Sequence, residues 1–221
     1  MENVMMRSGG FPKRYTLGEE VMNAVTHGVG ALLAVAGGTL LIASSASQQD
    51  PYKLASSIVY GLSLAMLYLM STLYHSIASP RAKAVLRVFD HCSIFLLIAG
   101  TYTPFTLVTL RQTGGWGLFG AIWGTAAVGI ALNAISLRRF EKLSLLCYVV
   151  MGWAVVFQAG TLLSALSPGG LALLVAGGIC YTGGILFYVL RRPYMHGIWH
   201  LFVLAGSVCH FFCVAMVIGL I

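Results

Sequence analysis

Seven apolar stretches, each long enough to cross a bilayer, take up nearly all of this 221-residue chain: roughly 21–43, 53–77, 86–109, 116–136, 143–164, 169–190 and 196–219. A helix needs about 20 apolar residues to cross the hydrocarbon core. With 58% hydrophobic and 9% charged residues, and a mean hydropathy of +0.87, a soluble globule with a polar surface is excluded. The expected architecture is an all-α membrane protein, a seven-transmembrane-helix bundle over residues 21–221. Residues 1–20 form a short N-terminal segment, and little chain is left for any other domain.

The charges set the orientation. Arg7, Lys13 and Arg14 precede the first stretch; Arg81, Lys83 and Arg87 lie between the second and third; Arg138, Arg139 and Lys142 between the fourth and fifth; Arg191 and Arg192 between the sixth and seventh. These eleven share one side, against Lys53 and Arg111 on the other. The positive-inside rule puts the N-terminus in the cytoplasm and the C-terminus outside. The net charge of +7 is thus spread over short loops in no continuous patch, which argues against a nucleic-acid partner. The first apolar run is long enough to span and shows no cleavage pattern, so it reads as its own insertion signal in an inner (plasma) membrane protein. Cys92, Cys147, Cys180, Cys209 and Cys213 all fall inside expected helices and are odd in number, which reads as small buried hydrophobes and not as a disulfide framework. Pro104 should kink the third helix, and Gly177, Gly178, Gly183 and Gly184 should allow close contact by the sixth.

Ionisable residues inside a membrane are costly and are functional candidates by default. His75, Asp90, His196 and His200 come from three distant parts of the chain yet share one depth, at the cytoplasmic ends of their stretches. Three imidazoles and a carboxylate are groups that zinc binds. His196 and His200 are four apart, with Cβ atoms about 5–6 Å apart on one helix face, and Pro193 suits a helix start just before them. Three histidines would leave a fourth position for water, which zinc makes ionisable near neutral pH. Asp90 is either a fourth ligand or the group that holds this water as general base; the open position favours the second. Ser71, four residues before His75, faces the same way and is a candidate to support the imidazole or meet a bound ligand.

Other polar residues surround this set. His91 points about 100° away from Asp90 and reads as packing or as support behind the ligands. His210 lies about 15 Å beyond His200 along the axis, too far for the same metal; it lines a cavity, relays protons or bonds a neighbouring helix. Glu20, Asn23 and His27 share one face of the first helix at the metal's level and read as supporting or cavity-lining groups, whereas Glu19 reads as a helix N-terminal charge complementing the dipole.

Taken together, Ser71-Thr72-Leu73-Tyr74-His75, Phe89-Asp90-His91, Gly100-Thr101-Tyr102-Thr103-Pro104, His196-Gly197-Ile198-Trp199-His200 and Gly206-Ser207-Val208-Cys209-His210-Phe211 resemble the bacterial haemolysin III family, which belongs with the progestin and adipoQ receptors. The resemblance implies a seven-helix bundle whose zinc, near the cytoplasmic face, is held by residues matching His75, His196 and His200, with the residue matching Asp90 associated with a metal-bound water. The wider superfamily includes alkaline ceramidases, so the resemblance implies hydrolysis of a membrane lipid amide or ester. Two other readings stay open: a non-enzymatic regulator or receptor in which zinc ties helices together, and a haemolysin-like pore or proton-linked transporter using His27 and His210. Regular polar residues through the midplane, which a pore needs, are missing. Iron or copper would also accept imidazole, but zinc suits an all-nitrogen open site. Oligomeric state is not legible in the sequence.

Overall fold

The computed structural model describes residues 15–190 and 192–221; Arg7, Lys13, Arg14 and Arg191, and with them most of the 1–20 segment, lie outside the described residues. Every regular element among the described residues is helical: α1 (Leu17–Ser47), α2 (Pro51–Ser76), α3 (Pro80–Pro104), α4 (Gly115–Trp153), α5 (Ala159–Ala165), α6 (Pro168–Val189) and α7 (Met195–Ile218). Six helical runs among them are long and apolar enough to cross a membrane, the longest being the 51 residues Gly115–Ala165. Large apolar side chains such as Leu32, Ile135 and Phe157 are largely exposed on the outer surface. In water such a surface would drive association; in lipid it is the matching solvent.

The helix starts follow local chemistry. Thr16 and Glu19 form a reciprocal capping box at α1, Asp50 accepts the Tyr52 N–H at 2.9 Å at α2, and Ser167 accepts the Gly170 N–H at 3.1 Å at α6. Prolines stand at the first helical position of α2, α3 and α6, where the missing N–H costs nothing. At Pro104 the expected kink takes the form of a single wide π turn, Phe105–Thr109, a usual way to absorb a lost backbone donor.

The long run Gly115–Ala165 is not one straight rod. Ser136 has extended backbone angles, φ −163° and ψ 95°, and the Ser144 hydroxyl donates to Asn133 Oδ1 at 2.7 Å. Eleven residues of straight helix would separate those positions by about 16 Å, so the chain reverses at Ser136 into two arms. The second arm is broken again after Trp153 by a 3₁₀ turn at Ala154–Gln158, and Tyr102 of α3 bridges that break: its hydroxyl accepts the Val155 N–H at 2.8 Å and donates to Gly152 O at 3.1 Å. Backbone groups without water must be satisfied in this way.

At the centre, α7 packs against α1 and α6, and the Tyr68 hydroxyl of α2 donates to Ser207 Oγ at 2.7 Å, with the Tyr181 hydroxyl of α6 at 2.7 Å from the same oxygen. Close contact requires glycine at Gly38 and Gly61, where a Cβ on either would stand 3.1–3.2 Å from the other's Cα. In α6, Gly184 seats Phe202 and Gly177 seats His210, whereas Gly178 and Gly183 meet only ordinary contacts. Replacing Gly61 by Leu should destabilise the bundle by about 1–3 kcal/mol, the usual cost of overpacking, while Gly117→Ala, with nothing within 4 Å of the added carbon, should be neutral; thermal unfolding in detergent micelles compares the two.

Candidate metal centre

Two helix ends converge to build the site. His75 sits in the last turn of α2, one residue before its end at Ser76. His196 and His200 occupy the first two turns of α7, which is launched by Tyr194 in the left-handed region at φ 62°. The Tyr194 N–H donates to Glu19 Oε1 at 3.0 Å, so the capping residue of α1 also fixes the turn from which α7 starts. Ligand-capable nitrogens of His75, His196 and His200 all lie within 4.8 Å of one another. Ring centroids are 4.7 Å apart for His196 and His200, 5.3 Å for His75 and His196, and 5.2 Å for His75 and His200.

The hydrogen bonds behind the rings decide which nitrogens face each other. His75 Nδ1 is 2.7 Å from Glu20 Oε2, so Nδ1–H donates to the carboxylate. Asn23 Nδ2, 3.4 Å from the same nitrogen, is then a neighbour and not a donor to it, because a protonated Nδ1 has no lone pair. His200 Nδ1 lies 3.3 Å from Asn23 O and 3.3 Å from Thr26 Oγ1; the Thr26 hydroxyl already donates to Met22 O at 2.8 Å, so Nδ1–H is again the donor. Both imidazoles therefore direct an Nε2 lone pair inward. Those two Nε2 atoms are buried without a hydrogen-bond partner among the described residues. Buried polar atoms are rarely left so, and an Nδ1–H anchored to a carboxylate or carbonyl is the usual support of a metal-ligating histidine. The donor set fits zinc.

Glu20 is shared: its other oxygen, Oε1, is 2.7 Å from Lys83 Nζ. Tyr15 lies over the site, its ring 5.5 Å from His75 and 5.2 Å from His196, and burial pushes its phenol up from the usual range, which keeps it a neutral donor. Lys83, Thr26 and Tyr15 were not singled out by the sequence. Lys83 is one of three basic residues between the second and third apolar stretches, in the first turns of α3, and no spacing in the chain distinguishes it from Arg81 or Arg87.

Asp90 is not part of the three-residue cluster of mutually close donors. It is buried and lines a cavity with His27, His91, His196 and His210. Its Oδ2 is 3.6 Å from His91 Nδ1, and His91 Nδ1–H donates to Arg87 O at 2.9 Å; although neighbours in sequence, both reach the same cavity. His27 stacks on His200 with centroids 3.5 Å apart and planes 10° apart. His210 donates from Nε2 to Leu174 O of α6 at 3.1 Å, bonding a neighbouring helix while still lining the cavity. Ser71 is buried, its hydroxyl without a partner among the described residues, and it is not among the cavity-lining residues.

The cavity runs between α3, the second arm of α4, α6 and α7. Its walls are mostly apolar, including Leu67, Ile94, Leu97, Val149 and Val203, and its volume is about 160 Å³. One water needs about 10–15 Å³ measured this way, so the space admits water together with part of a larger guest.

The model of the family described as Haemolysin-III related matches residues 15–211. Hemolysin-3 of Bacillus cereus is 45% identical over 89% of this chain and 90% of its own length. The Hemolysin-3 homolog of Bacillus subtilis is 42% identical over 90% and 94%, and the human Monocyte to macrophage differentiation factor is 28% identical over 89% and 83%.

Freshly purified wild type supplied with zinc should carry one ion per chain, while His75→Ala and His200→Ala at equal folded yield should carry none; metal mass spectrometry reads both. Glu20→Gln, which leaves the three nitrogens in place, should weaken zinc about 10–100-fold, measured by competition with a chelator.

Proposed function

The chain belongs to the Haemolysin-III related family and is a multi-pass membrane protein, and on that ground we propose that it is a zinc-dependent hydrolase of a lipid amide or ester. The observation that carries the reading is the junction of two features: three histidines whose ligand-capable nitrogens lie within 4.8 Å of one another and, beside them, a mostly apolar cavity lined by both Asp90 and His196.

In this reading the chain crosses the membrane seven times, the reversal at Ser136 dividing the longest run into two crossings. The N-terminus is cytoplasmic and the C-terminus outside, as the basic loops require; in a bacterium the membrane is the plasma membrane. A reporter that folds only in the cytoplasm, fused after Ile221, should stay dark, and one that matures only outside should be active.

His75, His196 and His200 would hold the zinc, which when bound supplies a Lewis acid for a carbonyl and lowers the pKa of water. The rest is the work of the chain's own groups. Glu20 and the Asn23 carbonyl keep the His75 and His200 rings from turning. Asp90 takes the proton of the attacking water as general base, and later returns it to the leaving nitrogen or oxygen. The apolar walls receive an acyl chain sideways from the bilayer and keep bulk water from the reacting carbonyl. His27 and His210 bound the cavity, and Ser71, whose hydroxyl has no partner among the described residues, takes no part in this scheme.

A second reading has one observation in its favour: the cluster joins α2 to α7, with α1 attached through Glu20, so a metal there would also tie helices together in a regulator without turnover. The name Hemolysin-3 of the Bacillus cereus relative speaks of lysis, but apolar walls support an acyl-chain site better than an aqueous pore. Asp90→Asn should retain zinc and lose about 10²–10⁴-fold of hydrolysis of lipid amides or esters. Full turnover in that variant would sink the role given to Asp90, and zinc-loaded wild type that releases no product from such lipids would leave the helix-tying reading in its place.

A further inference from the structure

We propose that Lys83 is a positioning residue of the metal centre, acting through Glu20 on His75; the inference rests on the metal reading of the histidine cluster. Lys83 reaches two targets at once. Its ammonium lies 2.7 Å from Glu20 Oε1 and donates to Tyr74 O at 3.0 Å, and it stands 4.9 Å over the Tyr74 ring, which itself packs at 4.6 Å from the His75 ring. The Tyr74 carbonyl belongs to the last turn of α2, where carbonyls lack intrahelical donors.

A carboxylate that bonds an imidazole through one oxygen can still swing about its own side-chain torsions. Here the second oxygen is taken by an ammonium that is itself tied to the backbone next to His75. Glu20 is thereby held from both sides, and Glu20 Oε2 stays on His75 Nδ1–H. That bond keeps the proton on Nδ1 and the Nε2 lone pair turned to the cluster. The side chains of Lys83 and Glu20 are 14% and 18% exposed, so the pair is largely withdrawn from the screening that makes fully exposed ion pairs ineffective. Lys83 also stands on α3 seven residues, about two turns, before Asp90, so one side chain ties the helix carrying Asp90 to the helix end carrying His75 and to the helix carrying Glu20.

The test uses full-length protein in detergent micelles or nanodiscs, with zinc alone as the probe. Affinity is measured by chelator competition, and unfolding of the zinc-free protein is measured alongside. Lys83→Met should weaken zinc about tenfold, at the lower end of the loss seen for partners behind a ligand, with the zinc-free unfolding midpoint unchanged. Lys83→Arg, which keeps a cation within reach, should restore most of the affinity. In a Glu20→Gln background, Lys83→Met should add little, because the two act through one path. Wild-type affinity in Lys83→Met overturns the proposal. An equal loss with and without Glu20, or a lowered midpoint with no rescue by Arg, also overturns it, and shows Lys83 to be a general support of the helix ends. Wild type that binds no zinc removes the metal reading and this proposal together, whereas wild type that binds zinc while Lys83→Met is silent removes the proposal alone.

Discussion

A polar group carried into a bilayer has to find its partner within the protein, because no water stands ready beside it. The described structure meets that requirement where its helices break and where they cross. The donor lost at Pro104 leads into a π turn; the break after Trp153 is bridged by one tyrosine hydroxyl that both accepts and donates; Ser207 gathers hydroxyls from α2 and α6. At the end where α2 finishes and α7 begins, the same requirement meets residues too many to pair with each other. His75 and His200 are each satisfied at Nδ1 and left with a buried lone pair at Nε2. Hydroxyls such as those of Ser56, Tyr60 and Ser71 are also buried without a partner among the described residues; what distinguishes the site from a set of packing histidines is that donor nitrogens of three of them lie within 4.8 Å of one another.

Close packing and open space meet at α7. α1 lies tightly on α2, with Gly38 against Gly61, and reaches α7 through His27, flat on His200, which steadies the helix ends that carry the histidines. The cavity opens where α3, the second arm of α4 and α6 face α7, next to the 3₁₀ break. The histidines are thus held on the packed side of α7 while its other side borders the cavity.

What the sequence made legible was whatever depends on spacing and depth. The four-residue spacing of His196 and His200 forces them onto one face, and the common end of their stretches brings His75 to them. Glu20 and Asn23 were legible for the same reason, as one face of α1. The contacts made across helices were not legible. Lys83 looked like any loop lysine, because its selection over Arg81 and Arg87 depends on how α3 leaves the end of α2. Tyr15 lies before the first helix, where no periodicity operates, and the Ala154–Gln158 break contains no proline to announce it. The reversal at Ser136 was visible as a gap between apolar stretches, although local hydrogen bonding continues as helix on both sides of it.

The geometry also bears on which reading of the metal is the stronger. A structural zinc is closed by four protein ligands, and a catalytic one keeps a position open. Among the described residues the cluster contains three donors, and the carboxylate that would complete it, Asp90, is turned to the cavity instead, near His91. Tying helices together does not require a carboxylate there, whereas in the hydrolytic reading it has a proton to take. Three mutually close nitrogens, a carboxylate held apart from them and an apolar space between helices are the parts a hydrolytic site uses, which is why hydrolysis is proposed ahead of a purely structural metal.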